Sequence, residues 1–156
     1  EITCINFEEM SAPTLFSDTT ALRNEYLSDG VAFTGPGALD GCGVLNGSSF
    51  SITESSSPNF CAFNSGAGFG GGGTPTDPET LTFSFPVEEV TIYAGSTGTG
   101  SFSASAYNAS MTLVDSDSFS TSTVMVQATL SATGITSVVL TNSASVWGLD
   151  DLCFVH

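Results

Sequence analysis

The residues best suited to chemistry in this chain are carboxylates that lie near its two ends. Glu8 follows Asn6 and Phe7 at one end, and Asp150 and Asp151 precede Leu152 and Phe154 at the other. Leu152 and Phe154 alternate with Asp151 and Cys153, while Ile5 and Phe7 alternate with Cys4 and Asn6, so both segments read as strands with one apolar face. Antiparallel pairing with Cys4 opposite Cys153 puts both thiols on the face away from the apolar side chains, as a cross-strand disulfide requires. The same register brings Glu8 and Asn6 beside Asp150 and Asp151. Three carboxylates at one strand end repel one another unless a cation lies among them, and an all-oxygen donor set favours calcium. The expected ligands are Glu8, Asp150 and Asp151, with Asn6, Asp18 and Asp29 as further oxygen donors and backbone carbonyls completing the shell.

Catalytic chemistry is harder to assemble. A nucleophilic triad needs a base, and the one histidine, His156, has no downstream chain to hold its ring. Zinc is disfavoured because its usual Cys and His spacings are missing. The glycine run at 70–73 lacks the lysine and helix of a phosphate cradle. Glycoside hydrolysis needs two carboxyls across a cleft. Glu54, Asp77, Glu79, Glu88 and Glu89 are the available acids, and adjacent Glu88 and Glu89 point to opposite sides of a strand. Asp115-Ser-Asp117 resembles part of a calcium loop but lacks its glycine and distal glutamate, and reads as a hairpin turn.

Binding is easier to build. Sugar rings are recognised by aromatic platforms flanked by amide and carboxylate groups. The candidate platforms are Trp147, Tyr107 and Phe69, with Tyr93 and Tyr26 behind them; a lone tryptophan in a sandwich is also a common core residue. Asn46-Gly-Ser48 and Asn108-Ala-Ser110 match the N-glycosylation acceptor pattern, which matters only in a source that glycosylates.

Composition narrows the partners. Sixteen carboxylates stand against Arg23 and no lysine, giving a formal charge of -15. Repulsion from phosphate backbones and anionic lipid disfavours nucleic acid and membrane surfaces, and no apolar run approaches the length of a membrane span. With charged residues at only 11% and Ser, Thr, Gly and Asn abundant, the surface is neutral and hydroxyl-rich, a composition usual in secreted β-proteins. Four cysteines imply two disulfides in an oxidising compartment, the second joining Cys42 to Cys61. That bridge closes a loop of about twenty residues and contributes roughly 3 kcal/mol through chain entropy. No signal peptide is visible, and the chain, starting at Glu1, reads as a processed form.

The elements that must position these groups are short strands. TTALRNEY (19–26) is the one candidate helix, capped by Asp18 or Thr19. Strands are expected at 31–33, 50–52 and 60–63. From Thr80 the alternation becomes regular, through TLTFSF, EVTIYAG, SFSASAY, MTLV, TVMVQATL and ITSVVLT, punctuated by Gly, Ser, Thr and Asp turns. The Gly- and Pro-rich segment 65–79 is expected to be a loop within a single domain spanning 1–156. Eight to ten strands in an all-β chain of this length predict an antiparallel β-sandwich of jelly-roll type.

The order of the segments SPNFCAF, LTFSFPVEEVTIYAG, SASAYNASMTLVDSD and ATGITSVVLTNSASVWGLDDLCF also resembles a family. It is similar to the secreted jelly-roll domains often found in bacterial proteins with a PEP-CTERM sorting tail, and more broadly to galactose-binding-like and carbohydrate-binding-module sandwiches. The resemblance runs from Phe7 onward and rests on an opening Phe7-Glu8 pair, a TFSFP-V strand ending at Pro86 and Val87, and Asp150-Asp151 before the last strand. It implies a structural calcium bridging the opening acid and a closing aspartate, and it implies no fixed ligand. The chain departs from the pattern in its disulfides and in carrying no sorting tail.

The expectation is therefore a secreted, non-catalytic, calcium-stabilised β-sandwich that binds carbohydrate or another extracellular matrix polymer. The alternative is a structural subunit that self-associates into a filament or surface layer through its strand edges. A weaker alternative is a glycoside-active enzyme.

Overall fold

The computed structural model describes residues 1–36, 41–64 and 75–156. Among the described residues nine strands form one hydrogen-bonded network in which every strand pairing is antiparallel. They are β1 (Ile2–Ile5), β2 (Val31–Thr34), β3 (Gly43–Asn46), β4 (Asn59–Asn64), β5 (Glu79–Ser96), β6 (Gly100–Asn108), β7 (Leu113–Thr121), β8 (Val126–Asn142) and β9 (Val146–Val155). The strand order is β3-β4-β9-β5-β8-β6-β7, with β1 added on β9 and β2 on β5. This is the expected all-β sandwich.

Two strands serve both layers. The start of β5 pairs with β2 and with the end of β8, whereas its later half pairs with β9 and with the start of β8. The turn from one layer to the other falls where the β5–β8 register shifts, between Thr82 and Glu89. Pro86 lies in that gap, where its missing N–H deprives no ladder of a bond. In β8 the corner is at Gly134, whose φ of 80° suits glycine and few other residues. Bends of this kind let a strand change sheets without ending. The segments TLTFSF and EVTIYAG, and likewise TVMVQATL and ITSVVLT, are thus single bent strands rather than the separate strands expected.

Between the layers lies one large core containing Phe7, Phe33, Phe63, Phe102, Trp147 and Phe154, with a second cluster around Phe60, Leu45 and Met125. Both disulfides form as expected, Cys4–Cys153 and Cys42–Cys61. No helix of the described residues is long and apolar enough to cross a membrane.

The expected helix over 19–26 does not form. Its backbone groups bond to neighbouring strands instead: Leu22 N–H donates to Cys42 O, and Arg23 O accepts from Phe33 N–H. Thr19 Oγ1 donates to Val44 O at 2.9 Å. An isolated two-turn helix carries an unfavourable nucleation term, and β-branched Thr19 and Thr20 do little to offset it. Helical structure among the described residues is limited to 3-10 turns at Phe16–Asp18, Leu27–Asp29 and Gly47–Ser49. The strand expected at 50–52 is also absent; Phe50 and Ile52 pack against the Phe60 cluster, and an isolated bridge joins the next residue, Thr53, to Val124 between β7 and β8.

Asp115 and Asp117 lie inside β7, not in a turn. Their carboxylates accept from the backbone N–H groups of Ser131 at 2.7 Å and Thr129 at 3.0 Å. Those two residues belong to the half of β8 that has crossed into the other layer, so the pair of side chains stitches the layers together where no backbone ladder spans them.

Candidate functional site

The seam between the chain's first and last strands is built as the alternation predicts. β1 and β9 pair with Cys4 opposite Cys153 and Ile5 opposite Leu152, and the two cysteine Cα atoms are 4.1 Å apart. Ile5, Leu152 and Phe154 are buried, while Cys4 is exposed on the other face.

Two irregularities then aim carboxylates at one place. β9 carries a bulge against β5, since Thr91 pairs with Cys153 but Tyr93 with Asp150. Asp151 absorbs it with φ 45°, a left-handed conformation that Asp tolerates better than most residues. On the other segment Phe7 has φ 64°, which turns the chain sharply as it leaves β1. The loop before β4 fills the space between. Ser56 N–H donates to Asp150 Oδ2 at 2.7 Å, and Ser56 Oγ lies 3.3 Å from both oxygens of Asp150 and 3.5 Å from Glu8 Oε1. Glu8 Oε1 also accepts from Asn59 N–H at 3.1 Å. Asn59 Nδ2 donates to Phe7 O and Met10 O, fixing the N-terminal loop to β4.

Asp150 is fully buried. Burial pushes its carboxyl up to about 7, with the Asp151 charge adding to the shift, while the Ser56 and Asp151 N–H groups and the Ser56 hydroxyl oppose it. A carboxyl poised near neutrality beside a second carboxylate is a site where a cation would favour the ionised form.

The other expected ligands are placed differently. Asn6 is exposed, and its Oδ1 accepts from Glu8 N–H at 3.2 Å. Asp151 is half-buried, next to Asp150 in β9. Asp29 and Asp18 sit in separate 3-10 turns, Asp29 beside the buried Tyr26. Burial raises the Tyr26 hydroxyl above its ordinary value, reinforced by its hydrogen bond to Glu9 and by the charges of Glu9, Glu25 and Asp29. Among the described residues no three or more His, Cys, Asp or Glu side chains converge as a metal-binding group. The seam therefore brings together a pair, Glu8 and Asp150, through Ser56, rather than the three-carboxylate cluster expected. Ser56 and Asn59 were not anticipated; a Ser-rich loop ahead of Pro58 gives no signal of which hydroxyl faces a carboxylate.

The aromatic candidates divide as well. Trp147 is fully buried and stacks on Phe63 with ring centroids 4.3 Å apart, so it is a core residue and cannot serve as a surface platform. The stretch VWGL (146–149) pairs with both β4 and β5, and a central strand buries its side chains. Tyr107 and Tyr93 are half-buried, and Phe69 lies outside the described residues. The two sequon asparagines are both half-buried at strand ends, each bonded to the turn that follows: Asn46 Oδ1 accepts from Ser48 N–H, and Asn108 Oδ1 accepts from Ser110 and Thr112 N–H.

The acids considered for glycoside chemistry are spread along the chain. Glu54 follows β3 on a loop, Asp77 and Glu79 flank the start of β5, and Glu88 and Glu89 are exposed at its corner. Glu79 is fully buried, and burial raises the half-buried Asp77 carboxyl despite backbone N–H donors.

No protein-family model matches this chain, and no curated protein matches its sequence.

Proposed function

We propose that this chain is a non-catalytic extracellular β-sandwich that binds carbohydrate or another matrix polymer, with a structural calcium at the seam between the N-terminal loop and β9. The observation that carries the calcium reading is the convergence of Glu8 and Asp150 on the Ser56 hydroxyl. The donors there are all oxygen, one carboxyl is buried, and the formal charge of -15 leaves cations as the natural counter-charge. Glu8, Asp150 and Ser56 would hold the ion, with carbonyls of the 6–10 and 55–59 loops completing the shell. Bound calcium would supply positive charge that keeps both carboxylates ionised and ties two chain segments together. Two disulfides agree with an oxidising compartment.

Ligand linkage makes the test direct. Thermal melting followed together with light scattering, in calcium and then in excess chelator, should show a higher melting temperature with calcium at constant monomer mass. Glu8→Gln should abolish the calcium response. A melting temperature indifferent to calcium overturns the metal site, and calcium-dependent growth in mass makes the chain an assembly subunit instead.

A further inference from the structure

The layer formed by β2, the start of β5, the end of β8, β6 and β7 has an outer face lined by hydroxyls. Along β6, Phe102, Ala104 and Ala106 are buried, so Ser101, Ser103 and Ser105 point outward. Strand register sets the outward residues in rows across the layer. One row runs Ser116, Ser105, Val139, Thr80, Thr34. The next runs Ser118, Ser103, Thr141, with Ser118 Oγ 3.5 Å from Ser103 Oγ. On the other side of the first row, Leu113 and Tyr107 lead to Ser137 and Thr82. All of these side chains are exposed or half-buried. Strand geometry spaces neighbours within a row by about 4.8 Å and successive rows by about 7 Å. The three rows contain no charged residue, in a chain whose formal charge is -15.

We propose that this face is the docking surface for the flat side of an uncharged, insoluble polysaccharide. The inference rests on the polymer-binding function proposed above and names its surface and its partner. A lattice of hydroxyls, each both donor and acceptor, matches the repeating hydroxyls of a sugar polymer. Half-exposed Tyr107 beside Leu113 gives the C–H faces of sugar rings an apolar contact at one border. Single hydroxyl hydrogen bonds contribute only about 1 kcal/mol each in water. A rigid sheet presents many of them with little ordering cost, and repetition gives avidity. The absence of charge selects a neutral partner, and two copies of so acidic a chain repel, which disfavours a second copy as the occupant.

The test is retention of the intact chain on microcrystalline cellulose and chitin powders. Retention on at least one powder is expected, little changed by high salt because the contact is uncharged. The Ser103→Glu/Ser118→Glu variant should reduce it at least tenfold, Ser103→Ala/Ser118→Ala should weaken it without introducing charge, and Thr133→Glu, outside these rows, should leave it unchanged. Circular dichroism confirms that each variant folds. Retention unaffected by either pair of substitutions overturns this surface while leaving the polymer-binding reading standing. No retention on either powder overturns this face as a polysaccharide-docking surface, and a monomer-to-dimer shift that the same substitutions abolish assigns the face to self-association instead.

Discussion

Asp150 concentrates the chemistry of the seam in one side chain. Its carboxyl is raised in the fold, so between about pH 4 and pH 7 the native state holds a proton that the unfolded chain has released. Stability from this group is therefore present at low pH and is lost as pH rises through that window. In chelator, wild type should lose stability relative to Asp150→Asn between pH 4.5 and pH 7.5, as read from denaturant midpoints; an unchanged difference would show that the carboxyl titrates normally. At the opposite extreme is Trp147, the one tryptophan, whose ring is buried and whose Nε1 has no hydrogen-bond acceptor. Its fluorescence should be blue-shifted, poorly quenched by acrylamide and unmoved by added polysaccharide. Trp147→Ala should cost about 4 kcal/mol, while Trp147→Phe, which keeps a ring against Phe63 and removes the orphan N–H, should cost markedly less.

At the level of elements, β7 carries the clearest consequence. The first half of β8 pairs with β5 on one side only, and open N–H groups along such an edge invite pairing with another chain; here Asp115 and Asp117 of β7 accept from two of them across the gap. Asp115→Ala/Asp117→Ala should cost about 1 kcal/mol per lost hydrogen bond and speed hydrogen exchange at the Thr129 and Ser131 amides first. Unchanged exchange there would mean that the stitch does not hold those amides. This pair also marks the limit of what the sequence shows. Two-residue alternation located β6, both halves of β5 and of β8, and the Cys4–Cys153 register, because one face of each strand is buried and a one-residue slip would expose it. DSDS reads as a turn because Asp and Ser are turn formers, and only the tertiary path of β8 supplies the amides that make them useful within a strand. The false helix at 19–26 fails for the same reason, its backbone partners lying in β2 and β3. Glu8 and Asp150 were legible from strand register, whereas Ser56, which joins them, comes from a loop with no periodicity to read.

For the molecule as a whole, the seam is also where the two ends of the polypeptide meet. Glu1 and His156 exchange backbone hydrogen bonds, and Cys4 is bonded to Cys153 just inside them. Removing that bridge by Cys4→Ser/Cys153→Ser should cost about 5 kcal/mol, because it releases a very long loop in the unfolded chain; an unchanged unfolding midpoint would show that it constrains nothing. The bridge has a mechanical meaning as well. Tension applied between Glu1 and His156 passes through the disulfide and never enters residues 5–152, so the sandwich carries none of the load. In a single-molecule pulling experiment the oxidised chain should barely lengthen, whereas the reduced chain, once force unfolds it, should release roughly 500 Å of contour at about 3.4 Å per residue. Joined between two tethers, the domain would act as an inextensible link whose slack force can draw out only after a reductant has opened it.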